Sequence, residues 1–157
     1  IEMADDAANA YVERNSPLKL TITSSRMAFY SPAKDEVVVP ELSQYDVAEE
    51  FYSTLFHELT HSTLPESRCN RRSDGANAAF GSQSYSKEEL VAEMGAAMSL
   101  SYLGIDSSKA FRNSVGYIQG WLKKLRSDKK FVVWAAGKAE QAVKYMFNIK
   151  DERDDKE

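Results

Sequence analysis

Cysteine occurs once in these 157 residues, as Cys69, so no disulfide can close within the chain. Such scarcity suits a reducing compartment, and the cytoplasm is the expected location. No apolar run approaches the roughly 20 residues that span a bilayer, and no signal-peptide pattern opens the chain, so no membrane partner is expected. Positive charge is not in excess either. A net charge of −4 argues against tight sequence-independent nucleic-acid binding by this stretch, because phosphate contacts need clustered cations. The one basic run, Lys123-Lys124-Leu125-Arg126-Ser127-Asp128-Lys129-Lys130, reads as a solvated turn between two helices. Internal repeats are lacking. Histidine is nearly so, with two copies in all.

Those two fall four residues apart, in His57-Glu58-Leu59-Thr60-His61. A helix turns once every 3.6 residues, so both imidazoles project from one face and can share a metal ion. Glu58 then lies beside the ion rather than on it. In the H-E-x-x-H pattern that carboxylate is the general base for the attacking water, and the ion expected is zinc.

The length fits a single domain over 1–150 followed by a charged, fraying tail, 151–157. Residues 2–14 place Met3, Ala7, Ala10 and Tyr11 at helical spacing. From Leu18 to Pro40 three short β-rich runs, each bounded by Ser, Pro or Asp, predict a small antiparallel sheet. Ser43 and Asp46 then supply start signals for a helix whose Val47, Phe51, Leu55 and Leu59 form an i, i+4 stripe. The histidines lie roughly 160 to 200° around from that stripe, so one face is expected to pack on the sheet while the other lines a cleft. A long polar loop, 64–84, follows and is expected to border the site. Ser86 to Leu103, stopped by Gly104, forms the next helix, and two more are expected over 108–126 and 129–147, with Trp121 and Trp134 in the core. The fold class is α+β, a small sheet against a helical bundle.

A catalytic zinc site usually takes three protein ligands and keeps a fourth position open. With no third histidine, a carboxylate is the sensible candidate. Glu89 and Glu93 share a helix face, which suits a pair in which Glu89 binds metal and Glu93 hydrogen-bonds a ligating histidine, whereas Glu88 points elsewhere. Glu89 has a competing role in a capping box with Ser86, Glu93 as a plain surface carboxylate, and Asp74 is a further outer-sphere candidate. The charge developing on a substrate carbonyl needs a donor besides the metal, and Tyr85, one turn before Glu89, is the choice. Arg68, Arg71 and Arg72 are candidates for a substrate carboxylate, weighed against structural roles.

Ala28-Phe29-Tyr30-Ser31-Pro32 with Asp35, Val37-Val38-Val39-Pro40, the segment Phe51 to His61, Ser67-Arg68 with Asn70-Arg71, and Tyr85 to Ala97 together resemble the zincin-like metallopeptidase domain of ArdC-type antirestriction proteins, also found in phage and plasmid polyvalent proteins. The resemblance implies His57, His61 and Glu89 as zinc ligands in a gluzincin-like set, Glu58 as the catalytic base, and a peptide or protein substrate. It also implies single-stranded DNA as a partner, through an N-terminal domain that this chain, beginning at Ile1, is expected to lack. Where that family carries a Trp-Thr-Gly-His-like segment, Ser62-Thr63-Leu64-Pro65 stands here, and substrate preference is expected to differ accordingly. The alternative reading is a metal-stabilised module without turnover.

Overall fold

The structure, a computed structural model, describes residues 1–71, 83–110 and 129–150 together with the isolated positions Gln119, Lys123 and Arg126; of 83–86 it describes the backbone alone. Helix α1 (Glu2–Arg14) buries Ala4, Ala8 and Tyr11 along one stripe, so of the expected positions Met3, Ala7, Ala10 and Tyr11 only Tyr11 is buried, the face that meets the core being turned by one residue. Strands β1 (Lys19–Thr23), β2 (Phe29–Ser31) and β3 (Glu36–Pro40) follow, then a 3₁₀ turn at Leu42–Gln44. Helices α2 (Ala48–His61), α3 (Gln83–Tyr102) and α4 (Lys129–Met146) complete the described elements, with a second 3₁₀ turn at Ser107–Lys109.

The α+β class stands, but the sheet is mixed rather than antiparallel. β2 and β3 form the expected antiparallel hairpin, with Tyr30 opposite Val37. β1 pairs with β3 in parallel, Leu20 opposite Val37 and Ile22 opposite Val39, giving the order β1-β3-β2. The reason is burial. Val37, Val38 and Val39 are buried in succession, a run that needs cover on both faces and suits a central strand, while the half-exposed β1 and β2 take the edges.

Helix α2 begins at Ala48 behind Val47, which makes no side-chain cap, so the expected start signals Ser43 and Asp46 lie before it, Ser43 in the 3₁₀ turn. Its stripe Phe51, Leu55 and Leu59 is buried in the main core with Tyr11, Leu18, Val37 and Val39. Its opposite face is covered too, by α3. The histidine face therefore meets helix α3.

Helix α3 lies between α2 and α4 and is apolar on most sides, burying Leu90, Val91, Ala96 and Leu100. It starts at Gln83, earlier than Ser86, and ends at Tyr102, one residue before the expected Leu103, with the expected stop Gly104 just beyond at φ +70°. There the Ile105 amide donates to the Leu100 carbonyl and the Gly104 amide to that of Ser101, a pairing that satisfies the last helical acceptors. Trp134 of α4 packs against the Leu90–Val91 cluster. The expected helix over 108–126, Trp121 and the 151–157 tail lie outside the described residues, apart from the start of the 108–126 stretch and the isolated positions.

Candidate metal centre

On α2 the rings of His57 and His61 stand 4.9 Å apart, centroid to centroid, at an interplanar angle of 75°. Helix α3 crosses so that three carboxylates meet them. Glu89 reaches both: its Oε2 is 3.2 Å from His57 Nε2 and its Oε1 3.0 Å from His61 Nε2. On the far side of each ring, His57 Nδ1 faces Glu93 Oε1 at 2.9 Å and His61 Nδ1 faces Glu88 Oε1 at 3.1 Å. One ligand atom each from His57, His61 and Glu89 can be chosen so that all three lie within 4.8 Å of one another.

Helix spacing explains most of this arrangement. Glu89 and Glu93 are one turn apart, as are the histidines, so two matched i, i+4 pairs face one another. Their approach is set by Gly95, where an added Cβ would lie 2.5 Å from Thr60 Oγ1 and 2.7 Å from Thr60 Cγ2. Only a residue without a side chain lets α3 come this near.

The electrostatics follow from burial and pairing. Burial presses both imidazoles toward neutrality, yet their carboxylate partners outweigh it. Hydrogen bonds to Glu89 and Glu93 raise His57 well above the ordinary imidazole value, and those to Glu88 and Glu89 push His61 up to about 9. Glu89, which burial alone would raise, is held far below the usual carboxylate range by the two histidines. Glu58 is buried, and burial raises its carboxyl; His61 and His57 pull it down, and Glu89 and Glu93 push it up again. Tyr45 lies within electrostatic reach of that carboxylate.

The donor set fits a divalent metal. Each imidazole has its Nδ1 occupied by a carboxylate, the arrangement that turns Nε2 toward an ion, and the two Nε2 atoms converge on a third oxygen donor. The structure thus brings together His57, His61, Glu58, Glu89 and Glu93, all singled out in the sequence. It also brings in Glu88, which was expected to point elsewhere. Being one residue from Glu89, Glu88 is rotated about 100° around α3, and that turn aims it at the outer nitrogen of His61.

Arg71 and Arg68 are not poised for a substrate. Arg71 is wholly buried, its Nε 3.0 Å from Glu88 Oε2 and its Nη2 2.8 Å from Glu88 Oε1, with further bonds to Thr63 Oγ1 and the Thr60 carbonyl. Arg68 grips both oxygens of Asp35 and donates to the Ser62 and Asn15 carbonyls. Both guanidinium groups are engaged inside the fold, which the polar composition of the segment could not reveal. Residues 64–71 are themselves tightly folded, with Arg71 donating to the Leu64 carbonyl and Cys69 to that of Thr63. Arg72, Asp74 and the side chains of Tyr85 and Ser86 lie outside the described residues.

Residues 6–138 match the family described as zincin-like metallopeptidase. The chain belongs to that family. This zincin-like metallopeptidase domain is 35% identical over 119 residues to the uncharacterized protein y4eC of Sinorhizobium fredii, covering 76% of the chain and 38% of that protein. It is 33% identical over 136 residues to a DNA primase TraC of Escherichia coli, covering 87% of the chain and 9% of TraC. Among solved structures, the manganese(II)-bound antirestriction protein ArdC from plasmid R388 aligns with a TM-score of 0.70 at 32% identity, over 91% of this chain and 50% of ArdC. The metal-free form of ArdC aligns at 0.65 and 30% identity. The domain therefore spans about half of ArdC and far less of its sequence relatives. Among the described residues, no helix is long and apolar enough to cross a membrane.

Proposed function

We propose that this domain hydrolyses peptide bonds in a zinc-dependent reaction, with His57, His61 and Glu89 holding the ion and Glu58 as general base. The observation that carries the reading is the convergence of both Nε2 atoms on Glu89, with Glu93 and Glu88 behind the rings. Bound zinc would supply Lewis acidity at a water and at the scissile carbonyl. Glu58 takes the proton of the attacking water and delivers it to the amine nitrogen as the C–N bond breaks. Its burial keeps that carboxylate basic enough for both transfers. Glu93 holds His57 in the tautomer that presents Nε2. Tyr85 is the proposed donor to the carbonyl oxygen.

Glu58→Gln tests the reading in the metal-replete protein. Zinc should remain bound at one ion per chain while digestion of an unbiased peptide library ceases. A variant that still cuts as the wild type does would remove Glu58 from the mechanism. His57→Ala, analysed for metal without a histidine tag, should hold far less zinc than the wild type.

A second reading draws on the likeness to ArdC and TraC. There the domain is a metal-stabilised module of a longer plasmid-type protein that protects DNA, meeting single-stranded DNA through a region beyond this chain. Restriction protection by the longer protein separates the two. Glu58→Gln should abolish protection if hydrolysis matters and leave it unchanged if the metal serves structure alone.

A further inference from the structure

The two histidines are backed unequally. Behind His57 stands Glu93, a partly exposed carboxylate. Behind His61 stands Glu88, whose side chain is 7% exposed and is gripped by the Arg71 guanidinium on both oxygens. Glu88 Oε1 is shared: it accepts from Arg71 Nη2 at 2.8 Å and faces His61 Nδ1 at 3.1 Å. The same Nη2 donates to the Thr60 carbonyl, and Nη1 donates to Thr63 Oγ1. Thr60 lies in the last turn of α2, so Arg71 joins the C-terminal end of the histidine helix to the start of the glutamate helix. A cation at that point also suits the negative end of the α2 dipole.

Resting on the ligand assignment above, we propose that Arg71 is a positioning residue of the metal centre, acting through Glu88 to hold the His61 ring with Nε2 turned toward Glu89. A planar fork fits a carboxylate on two parallel hydrogen bonds and fixes its plane, which a lysine ammonium does not. With Glu88 so fixed, its remaining acceptor direction points at His61 Nδ1. The tautomer and the ring rotation are set together. Among the described residues, no guanidinium grips Glu93 behind His57 as Arg71 grips Glu88, so the two ligands differ in how firmly they are oriented.

Breaking a buried ion pair destabilises a protein by stranding the remaining charge, whereas replacing both members by apolar groups is often neutral. That difference separates positioning from plain structural support. Zinc affinity is measured by chelator competition on the whole chain. Imidazole ¹⁵N shifts are read in the zinc-loaded form, where the two histidines of the sequence give two resolvable rings. Arg71→Met should lower both the melting temperature of the metal-free protein and its zinc affinity, the latter by about 10- to 100-fold. Arg71→Met/Glu88→Leu should recover the melting temperature but not the affinity, with the His61 signals displaced and those of His57 kept. Glu88→Gln preserves shape and should also lose about tenfold or more. An affinity that returns with the melting temperature in the double variant, or wild-type binding by Glu88→Gln, overturns the positioning role while His57→Ala still abolishes binding. A wild-type chain that takes up no zinc overturns the ligand assignment itself, and this proposal with it.

Discussion

At His61 the carboxylate partners favour a protonated imidazole, whose proton a metal held in the proposed way would have to displace. Its imidazole titrates at about 9 against an ordinary value near 6.5, and His57 is raised as well. Zinc uptake at neutral pH should therefore release protons, and affinity should rise as pH climbs from 6 toward 9. Calorimetry in buffers of different ionisation enthalpy measures this directly; binding without proton release would contradict the pairing. The sign for stability is opposite. A folded value above the unfolded one stabilises fully below about pH 6.5 and is lost as pH rises through 9, a contribution on the order of 3 kcal/mol before coupling to Glu89 is considered. The metal-free melting temperature should fall across that window, with much less change in the zinc-loaded form. Glu89→Ala should weaken zinc more than Glu88→Ala, because the first removes a proposed ligand and the second a carboxylate behind His61. Of these residues, the i, i+4 pairs were legible in the sequence because helix geometry alone aligns them. Glu88 was not, since its role depends on an arginine seventeen positions away in sequence.

Between elements, the contact of α2 with α3 carries the site, and Gly95 controls it. Gly95→Ala would drive a methyl into Thr60, whose Oγ1 is already bonded to the Phe56 carbonyl at 2.6 Å. The helices must separate, at about 1–3 kcal/mol of stability, and zinc affinity should drop with them. Gly137 offers the contrast. It lies at an exposed position of α4 with nothing within 4 Å of an added Cβ, so Gly137→Ala should raise stability by about 0.5–1 kcal/mol and leave zinc binding alone. Thermal melts with and without zinc check both. Gly95, Ala96 and Ala97 stand in the sequence as a run of small residues, but the partner that Gly95 meets, Thr60, emerges only from packing.

Across the whole molecule, the sheet is tied to the segment after α2 by one half-buried pair. Asp35, at φ +50° in the β2–β3 turn, takes two bonds from Arg68 and one from the Tyr30 hydroxyl. Arg68 continues to Asn15 after α1 and Ser62 after α2, so four parts of the chain meet at this guanidinium. Asp35→Ala removes two of the bonds to that guanidinium and should cost about 1–3 kcal/mol, while the folded fraction keeps its zinc affinity. Denaturant midpoints set beside chelator competition test this; a matching loss of affinity would mean that the tie shapes the metal centre. The likeness to the Tyr30, Asp35 and Arg68 pattern of the family was visible in sequence, but its physical content was not.

Local periodicity determined a great deal here. Elements that repeat within a few residues, the existence of helix α1, the amphipathic α2 stripe, the His57–His61 and Glu89–Glu93 pairs, the β2–β3 hairpin and the Gly104 stop, are set by backbone geometry and so can be read directly from the chain. Tertiary structure alone decided the parallel pairing of β1 with β3, the covering of the histidine face by α3, and the diversion of Arg71 and Arg68 from the surface to the interior. Each of these depends on which distant group is available to bury a face or pair a charge. A one-dimensional pattern carries no record of that choice.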